Sequence, residues 1–298
     1  MITPRIEIDL EKIAHNAKTL KDLYGSKGIG LMAVTKAVRG NPRIAQTLVK
    51  CGIDILADSR IENIKRMRAA GVQAQFMLTR TPALSQVEAV IKYADISLNT
   101  EISVIEKLSL YAVEYDKPHK IILMVELGDL REGLMPSEMD DVVKQVLKLE
   151  GIILAGIGAN LACFGGVIPD DKNMGVLSSL ATDVEDKHGI KLEYISAGNS
   201  ANYNWFKSTS DVGRINNLRL GESIYLGRET LSRGAIPGLY TDAMTLISEV
   251  LESKIKPSLP TGTIAQDAFG KLPEFVDQGP IQRAILGIGL QDVQVSGL

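Results

Sequence analysis

The feature that most constrains the fold of this chain is a regular alternation of short apolar runs with amphipathic segments. Runs such as "IGLMAV", "GIDILA" and "AQFML" are each followed by a segment whose apolar residues recur at helical spacing. The runs are apolar throughout instead of at every second position, which is typical of strands that helices cover on both faces. We therefore expect an α/β fold built around a parallel sheet.

The number of these units distinguishes two α/β architectures. Seven or eight strand–helix units fit within roughly 200 residues, which favours a closed (β/α)8 TIM barrel. An open dinucleotide-binding sheet is disfavoured, because no G-x-G-x-x-G motif follows the first strand. We expect the barrel to span residues 1–234, although the first strand, in "RIEIDL", can instead join the domain that follows.

A change of pattern near residue 235 predicts a second, small β domain over residues 235–298. The segment "AMTLISEVLESKIKP" fits a helix or a strand by its periodicity. Two later segments, "TGTIAQDAFG" and "RAILGIGLQDVQV", are predicted as strands separated by Gly and Pro turns. The sequence ends at Leu298 directly after a predicted strand, so we expect this domain to be incomplete in the chain.

Composition argues against several classes of function. The net charge of -3 gives no basic footprint for nucleic acid. The N-terminus lacks the apolar core of a signal peptide, and no run approaches the ~20 apolar residues of a membrane span. Two cysteines do not make a disulfide framework, and three histidines without ligand spacing predict no metal site. We expect a soluble, cytoplasmic protein with neither a nucleic-acid nor a membrane partner.

Polar residues occur where the predicted strands end. In barrel enzymes the functional groups lie at the C-terminal ends of the strands. The residues at those positions are Lys36, Asp58, Arg80, Asn99, Glu126 to Arg131, Asn160 to Gly166, Ala197 to Ser200, and Arg219 to Glu222. Because these strand ends converge on one face of a barrel, we expect a single polar site there.

Four of these segments suggest specific chemistry. Lys36 follows "LMAVT", so its amine can act as a nucleophile at the end of a buried strand or simply extend into solvent. Arg131 lies between two glycines, where its guanidinium would suit a carboxylate or a phenolate. "SAGNSAN" and "RLGES" follow strands seven and eight, the recurrent phosphate site of this architecture. Taken singly, each segment also fits an ordinary loop.

Together these segments resemble the alanine racemase family, the fold-type III pyridoxal-phosphate enzymes. The matching motifs, in the family's order, are "PRIEIDLEKIAHN", "AVTKAVRGNP", "ELGDLREG", "GANLA", "GNSAN" and "RLGESIYLG". More narrowly, "VTKAVRGNP", "ILADSRIEN" and "NLACFGG" are similar to the branch that contains the ornithine racemases. The resemblance covers nearly the whole chain, and it implies pyridoxal 5'-phosphate as cofactor, an amino acid as substrate and a homodimer.

The resemblance also implies roles for individual residues. The catalytic residues would be Lys36, which carries the cofactor and serves as a base on one face of the substrate, and Arg131, which contacts the lysine and the cofactor phenol. The cofactor-binding residues would be Lys36, Asn160, Asn199, Ser200, Arg219, Gly221 and Glu222. Arg219 would face the pyridine nitrogen, and because arginine only donates, that nitrogen would stay unprotonated and favour proton return over side reactions.

The sequence departs from the family pattern at two places. The family's second acid/base is a tyrosine from the partner subunit, and the nearest segment here, "IGLQD", has Leu290 in its place. Leucine cannot carry a proton, so the second acid/base is left open between Cys163, Asp267 and Asp292. The family's tyrosine after the cofactor lysine is also absent from "KAVRGNP".

For the substrate we expect ornithine or another basic amino acid. Besides the resemblance, acidic residues occur near the predicted mouth, and a desolvated ammonium group needs such a partner; equally, they can be solvated loop carboxylates. The candidate substrate residues are Asp58, Cys163, Asp267 and Asp292. A lyase or decarboxylase of the same fold type, a non-catalytic pyridoxal-phosphate carrier and a barrel without cofactor remain as alternatives.

Overall fold

The computed structural model describes residues 2–294. The helices are α1 (Leu10–Gly25), α2 (Pro42–Lys50), α3 (Ile61–Ala69), α4 (Val87–Tyr93), α5 (Ile102–Glu114), α6 (Met139–Val146), α7 (Asp171–His188), α8 (Tyr203–Ser208) and α9 (Glu222–Leu226). The strands are β1 (Arg5–Ile8), β2 (Gly30–Val34), β3 (Ile55–Asp58), β4 (Gln75–Leu78), β5 (Ile96–Asn99), β6 (His119–Val125), β7 (Ile152–Ala159), β8 (Tyr194–Ser196), β9 (Asn217–Leu220), β10 (Met244–Ile247), β11 (Val250–Pro257) and β12 (Pro280–Leu286).

Strands β2 to β9 form a closed parallel barrel in chain order, with β9 pairing back onto β2. This confirms the predicted (β/α)8 barrel followed by antiparallel β structure. Apolar side chains fill the barrel; they include Met32, Ala57, Met77, Leu98 and Met124. One face of each strand points into this filled interior and the other packs against helices, so apolar residues occupy consecutive positions along the strand.

Local sequence signals set where several helices begin. Helix α1 begins after Asp9, whose carboxylate accepts hydrogen bonds from the backbone N–H groups of Glu11 and Lys12. Helix α2 begins after Asn41, whose side chain caps it in the same way, with Pro42 as the first helical residue. Such caps satisfy N–H groups that have no partner inside the helix. They fix the residue at which each of these two helices begins.

The chain divides into two compact units, one of which comprises Asp9–Ala243 and contains the whole barrel. In the other unit, β1 pairs antiparallel with β10, and β11 pairs antiparallel with β12. The ambiguous segment before residue 257 is therefore strand. No helix within residues 2–294 has the length and apolarity needed to cross a bilayer.

One strand prediction in the second unit is wrong, and the other is confirmed in part. Residues 261–270 form no strand; there the Asp267 carboxylate accepts hydrogen bonds from the N–H groups of Phe269 and Lys271 and closes a turn. The later segment, "RAILGIGLQDVQV", begins within β12, which ends at Leu286, and its last residue lies outside the described residues. After β12 the chain turns where Asp292 donates its backbone N–H to the Gly289 carbonyl. In both places aspartate and glycine stabilise a turn that overrides the apolar pattern.

Candidate active site

Two adjoining cavities of ≈ 110 Å³ and ≈ 230 Å³ lie at the C-terminal ends of the barrel strands. The residues that line both cavities are Val34, Lys36, Cys163, Asn199 and Arg219. Together the cavities reach the lower end of the usual range for small-molecule sites, about 300–1,000 Å³. A larger cavity of ≈ 620 Å³ lies at the N-terminal ends of the strands, where barrel enzymes do not carry their chemistry.

Lys36 begins a short 3-10 turn that follows β2, and its side chain is exposed at both cavities. The turn ends with two residues in the left-handed region, Arg39 (φ 53°) and Gly40 (φ 60°). A Cβ at Gly40 would lie 2.8 Å from the Cβ and the carbonyl oxygen of Asn63, so only glycine fits there. Close packing against α3 therefore fixes the turn that presents the lysine.

Asp58 stabilises this turn, a role different from the substrate contact that we expected of it. One oxygen of its fully buried carboxylate accepts from the Thr35 hydroxyl at 2.8 Å. The other accepts from the Arg60 N–H and from the Asn63 side chain, both at 2.9 Å. Asp58 lines neither cavity, and its hydrogen bonds go to protein donors. It connects the residue preceding Lys36 to the start of α3.

Arg219 of β9 is a buried guanidinium at the centre of the barrel mouth. One terminal nitrogen donates to the carbonyl and the hydroxyl of Ser196, and the other donates at 2.8 Å to the Ala159 carbonyl and the Asn160 side chain. Within the described residues 2–294, this leaves its Nε–H as the one donor without a partner. Burial lowers the pKa of Arg219 to about 10, so it remains charged at neutral pH.

Gly158 lies against the strand that supplies acceptors to this arginine. A Cβ at Gly158 would lie 2.8 Å from the Ser196 carbonyl oxygen, too close for a carbon atom, whereas a terminal nitrogen of Arg219 at 3.5 Å would be in ordinary contact. Glycine at this position is therefore required by the close approach of β8, whose Ser196 carbonyl accepts from Arg219.

A chain of polar contacts leads from Arg219 to the loop after β6. The Asn160 side chain accepts from Arg219 and donates to Glu132, whose other carboxylate oxygen pairs with the Arg131 Nε at 2.8 Å. Arg131 also lines the smaller cavity, as does Asn160. The two loops that the sequence predicted for catalysis and ring contact are therefore brought together, with Lys36 on the same cavity wall.

Asp129 and Asn199 hold the neighbouring loops in place. The buried Asp129 carboxylate accepts from the N–H groups of Cys163, Phe164 and Val167. The Asn199 side chain donates to the Leu161 carbonyl and to the Cys163 sulfur, at 3.0 Å and 3.3 Å. Asp129 and Asn199 are thus occupied by protein partners, whereas the Cys163 thiol is exposed at both cavities.

The predicted phosphate segments meet at the larger cavity. Ser200, Gly221 and Glu222 all line it. The Ser200 hydroxyl lies 3.0 Å from that of Ser223 and accepts the Ser223 N–H at 3.1 Å, which joins the segments after β8 and β9. A Cβ at Gly221 would lie 3.4 Å from the Val34 carbonyl oxygen, so β9 and β2 approach closely at this point.

Two predicted residues belong to the other compact unit, and several cavity residues were not predicted. The two are Asp267 and Asp292. Arg80, which the sequence placed at a strand end, lines the smaller cavity. Cavity-lining residues that the sequence analysis did not name are Ser59, Thr79, Thr230 and Arg233. The first two directly follow strand ends, and that position was the signal available for them; Thr230 and Arg233 lie on a loop beyond β9 that no motif marked.

The donor set suits a phosphate-bearing aldehyde such as pyridoxal phosphate. Lys36 supplies an exposed amine, and the larger cavity is lined by a hydroxyl residue, Ser200, and a cationic residue, Arg233. The Thr230 hydroxyl on the same wall is buried without a hydrogen-bond partner within the described chain. Polar atoms in such a state are costly in a folded protein unless a ligand or water pairs with them.

Comparisons with known proteins agree with this picture. Residues 8–229 match the family described as alanine racemase, N-terminal domain. An ornithine racemase of Acetoanaerobium sticklandii is 40% identical over 296 residues, covering 99% of this chain and 83% of that protein. A lysine racemase of Thermotoga maritima is 36% identical over 298 residues, covering 100% of this chain and 83% of that protein.

A solved structure shares the fold. The alanine racemase of a D-cycloserine-producing Streptomyces lavendulae superposes with a TM-score of 0.73 at 18% identity, covering 95% of this chain and 74% of that one. At this identity the likeness concerns the fold alone.

The role assigned to Asp58 predicts a loss of stability without a change of selectivity. Asp58→Ala removes the acceptor of three buried donors, so we expect the free energy of unfolding in urea to fall by about 2–4 kcal/mol. Asp54→Ala, which removes an exposed carboxylate just before the same strand, is the matched control and should change it by less than about 0.5 kcal/mol. Unchanged stability with altered substrate affinity would restore Asp58 as a substrate residue.

Proposed function

The chain belongs to the alanine racemase family, and from this premise we propose that it is a pyridoxal-phosphate-dependent isomerase that racemises a basic amino acid, ornithine first. The observation that carries the proposal is similarity over 99–100% of this chain to two racemases, named for ornithine and lysine, at 40% and 36% identity. Both names refer to amino acids whose side chains end in an amine. The cavity at the barrel mouth supports the same chemistry.

Lys36 is the residue that we propose to hold the cofactor and to move a proton at the substrate Cα. Bound pyridoxal phosphate withdraws electrons from Cα and so makes its C–H bond acidic. The Lys36 amine lines both cavities and has no ion-pair partner within residues 2–294, so it is free to react. Arg131 lies on the wall of the same cavity, where its charge favours a substrate carboxylate or the cofactor phenol.

Arg219 would direct the reaction towards racemisation. Its terminal nitrogens are held by Ser196, Ala159 and Asn160, which leaves Nε–H free to donate to an acceptor in the cavity, such as the ring nitrogen of the cofactor. A guanidinium that stays charged can only donate, so a ring nitrogen held by Arg219 would be an acceptor without a proton. This would favour return of the proton to Cα over the breaking of other bonds.

Proton transfer on the other face of Cα needs a second group. Of the three candidates named from the sequence, Cys163 is the one that lines both cavities, so it is the first to test. Its sulfur accepts a hydrogen bond from Asn199, which orients it. Asp267 and Asp292 belong to the other compact unit and remain candidates from a second copy of the chain.

The charges on the cavity walls bear on the substrate. They are mostly cationic, from Lys36, Arg80, Arg131, Arg219 and Arg233. Cationic walls suit the carboxylate of an amino acid and the phosphate of the cofactor. Glu222 is the acidic residue among the described residues that line the two cavities, and it is paired with Arg233. The ammonium of a basic side chain therefore needs a carboxylate from outside these walls, such as Asp267 or Asp292 of a second copy.

A homodimer is the assembly that we propose. Three apolar side chains of the barrel-mouth loops are exposed to solvent: Leu130 by 74%, Phe164 by 76% and Ile168 by 58%. In the second unit, Val250, Leu251, Ile255, Ile285 and Leu286 of β11 and β12 are also exposed. Exposed apolar patches of this kind mark protein interfaces.

The free cysteines Cys51 and Cys163 suit a reducing compartment, and we propose the cytoplasm.

Chiral chromatography of reactions in heavy water tests the proposed function. Each of L-ornithine, L-lysine and L-alanine is incubated with the enzyme and pyridoxal phosphate, and both enantiomers are analysed for deuterium at Cα. We expect ornithine or lysine to be converted with a kcat/KM at least about tenfold above that of alanine, because a hydrogen-bonded charge at a specific site discriminates by this much or more.

The Cys163→Ser and Cys163→Ala variants serve as the matched pair in the same assay. If Cys163 acts on one face, the alanine variant should slow Cα exchange of one enantiomer far more than that of the other. Equal or better turnover of alanine than of ornithine and lysine would contradict the basic-substrate assignment. Elimination or decarboxylation products in place of the D enantiomer would contradict the racemase.

Sedimentation velocity at micromolar concentration tests the homodimer. We expect a single species of twice the chain mass, because the exposed apolar loops would otherwise remain in water. Phe164→Asp places a charge in the exposed patch and should shift the population towards monomer. An enzyme that is active and purely monomeric under these conditions would contradict the proposal.

A further inference from the structure

The loop after α9 contains a buried hydroxyl group that the fold itself does not satisfy. The Thr230 Oγ1 is buried and has no hydrogen-bond partner within the described chain. Thr230 nevertheless lines the larger cavity, on the wall that also contains Ser200 and Gly221. Burying a hydroxyl without a partner costs about 1–3 kcal/mol. A polar atom in this state at a cavity wall is available to pair with a ligand.

This loop is built rigidly around one carboxylate. The buried Glu229 side chain accepts from the N–H groups of Leu231, Ser232 and Gly234 and from the Ser232 hydroxyl. Burial opposes ionisation, yet these hydrogen bonds hold the pKa of Glu229 below its ordinary value. Because every acceptor position of Glu229 is used inside the loop, its function is to fix the loop's shape. The position of Thr230 is therefore set before any ligand binds.

Arg233 extends the same wall with a positive charge. It adopts a left-handed backbone conformation at φ 62°, which is uncommon for a residue with a side chain. The Arg228 guanidinium donates to its carbonyl at 2.9 Å, and its own guanidinium pairs with Glu222. A guanidinium has five donors, so this pair leaves donors for a further acceptor. Left-handed residues that a structure holds in place are concentrated at binding sites.

We propose that Thr230 and Arg233 bind the phosphate group of the cofactor, an inference that rests on the proposed function. A phosphate monoester carries a charge of about −1.5 to −2 and three acceptor oxygens. Thr230 supplies a hydroxyl donor and Arg233 supplies a cation on the wall already lined by Ser200 and Gly221. The Glu229-stabilised loop thus forms a third side of the phosphate site, beside the segments after β8 and β9.

The test compares the binding of pyridoxal phosphate with that of pyridoxal, which lacks the phosphate. Both are titrated by absorbance into the cofactor-free full chain. Thr230→Val should weaken pyridoxal phosphate binding by about tenfold or more, because a hydrogen bond to a charged group is lost. Thr230→Ser keeps the hydroxyl and should bind within about threefold of wild type. Arg233→Gln should weaken pyridoxal phosphate binding by about tenfold, and Arg233→Lys by less.

Three controls isolate the phosphate contact. Pyridoxal affinity should change by less than about twofold in every variant, because pyridoxal makes no phosphate contact. Thr47→Val makes the same substitution in α2, distant in sequence from Thr230, and should leave the affinities for pyridoxal phosphate and pyridoxal unaltered. In the cofactor-free state Thr230→Val should melt at or above the wild-type temperature, since it removes an unsatisfied buried hydroxyl.

The outcomes separate this inference from the proposed function. Wild-type binding of pyridoxal phosphate with equal affinity in Thr230→Val and Arg233→Gln would overturn the inference and leave the function standing. A parallel loss of pyridoxal binding, or a lower melting temperature of cofactor-free Thr230→Val, would also overturn it, because the hydroxyl would then have a structural role. A wild-type chain that binds no pyridoxal phosphate would overturn both.

Discussion

The barrel mouth is organised around one buried charge, the guanidinium of Arg219. An unpaired charge inside a protein is strongly unfavourable, so the surrounding backbone has to supply acceptors for it. Ser196 of β8 and Ala159 of β7 do so with their carbonyls, and Gly158 lets β7 approach the Ser196 carbonyl closely. Through Asn160 and Glu132 the same network reaches Arg131. A single arginine therefore fixes the ends of three strands and the loop after a fourth.

The remaining polar residues of the mouth fall into two groups by whether the fold already uses them. Asp58, Asp129 and Glu229 are buried carboxylates whose hydrogen bonds all go to protein donors, and each one shapes a turn or a loop. Lys36, by contrast, is exposed, and the Thr230 hydroxyl has no hydrogen-bond partner within residues 2–294. At the barrel mouth, the buried carboxylates thus stabilise the fold, and other side chains are available for chemistry. Groups left without protein partners are the ones available to a cofactor and a substrate.

Much of this could be predicted from the sequence, because it depends on local pattern. The apolar runs gave the barrel, and strand-end positions brought Lys36, Arg131 and Arg219 to one face. Asp58 shows the limit of that reasoning. It also ends a strand, but its carboxylate is buried by Thr35 and Asn63, residues from other segments, and no local pattern reports such contacts. The same holds for Thr230, whose missing partner is a property of the folded cavity.

The most direct test of the central claim, that Lys36 holds the cofactor at this mouth, is borohydride reduction of the holoenzyme followed by peptide mapping. Reduction makes the link between the cofactor and its lysine permanent. We predict a pyridoxyl label on the peptide that contains Lys36, and no label there in Lys36→Arg prepared in parallel. A label on any other lysine of the wild-type chain would contradict the assignment of this cavity as the active site.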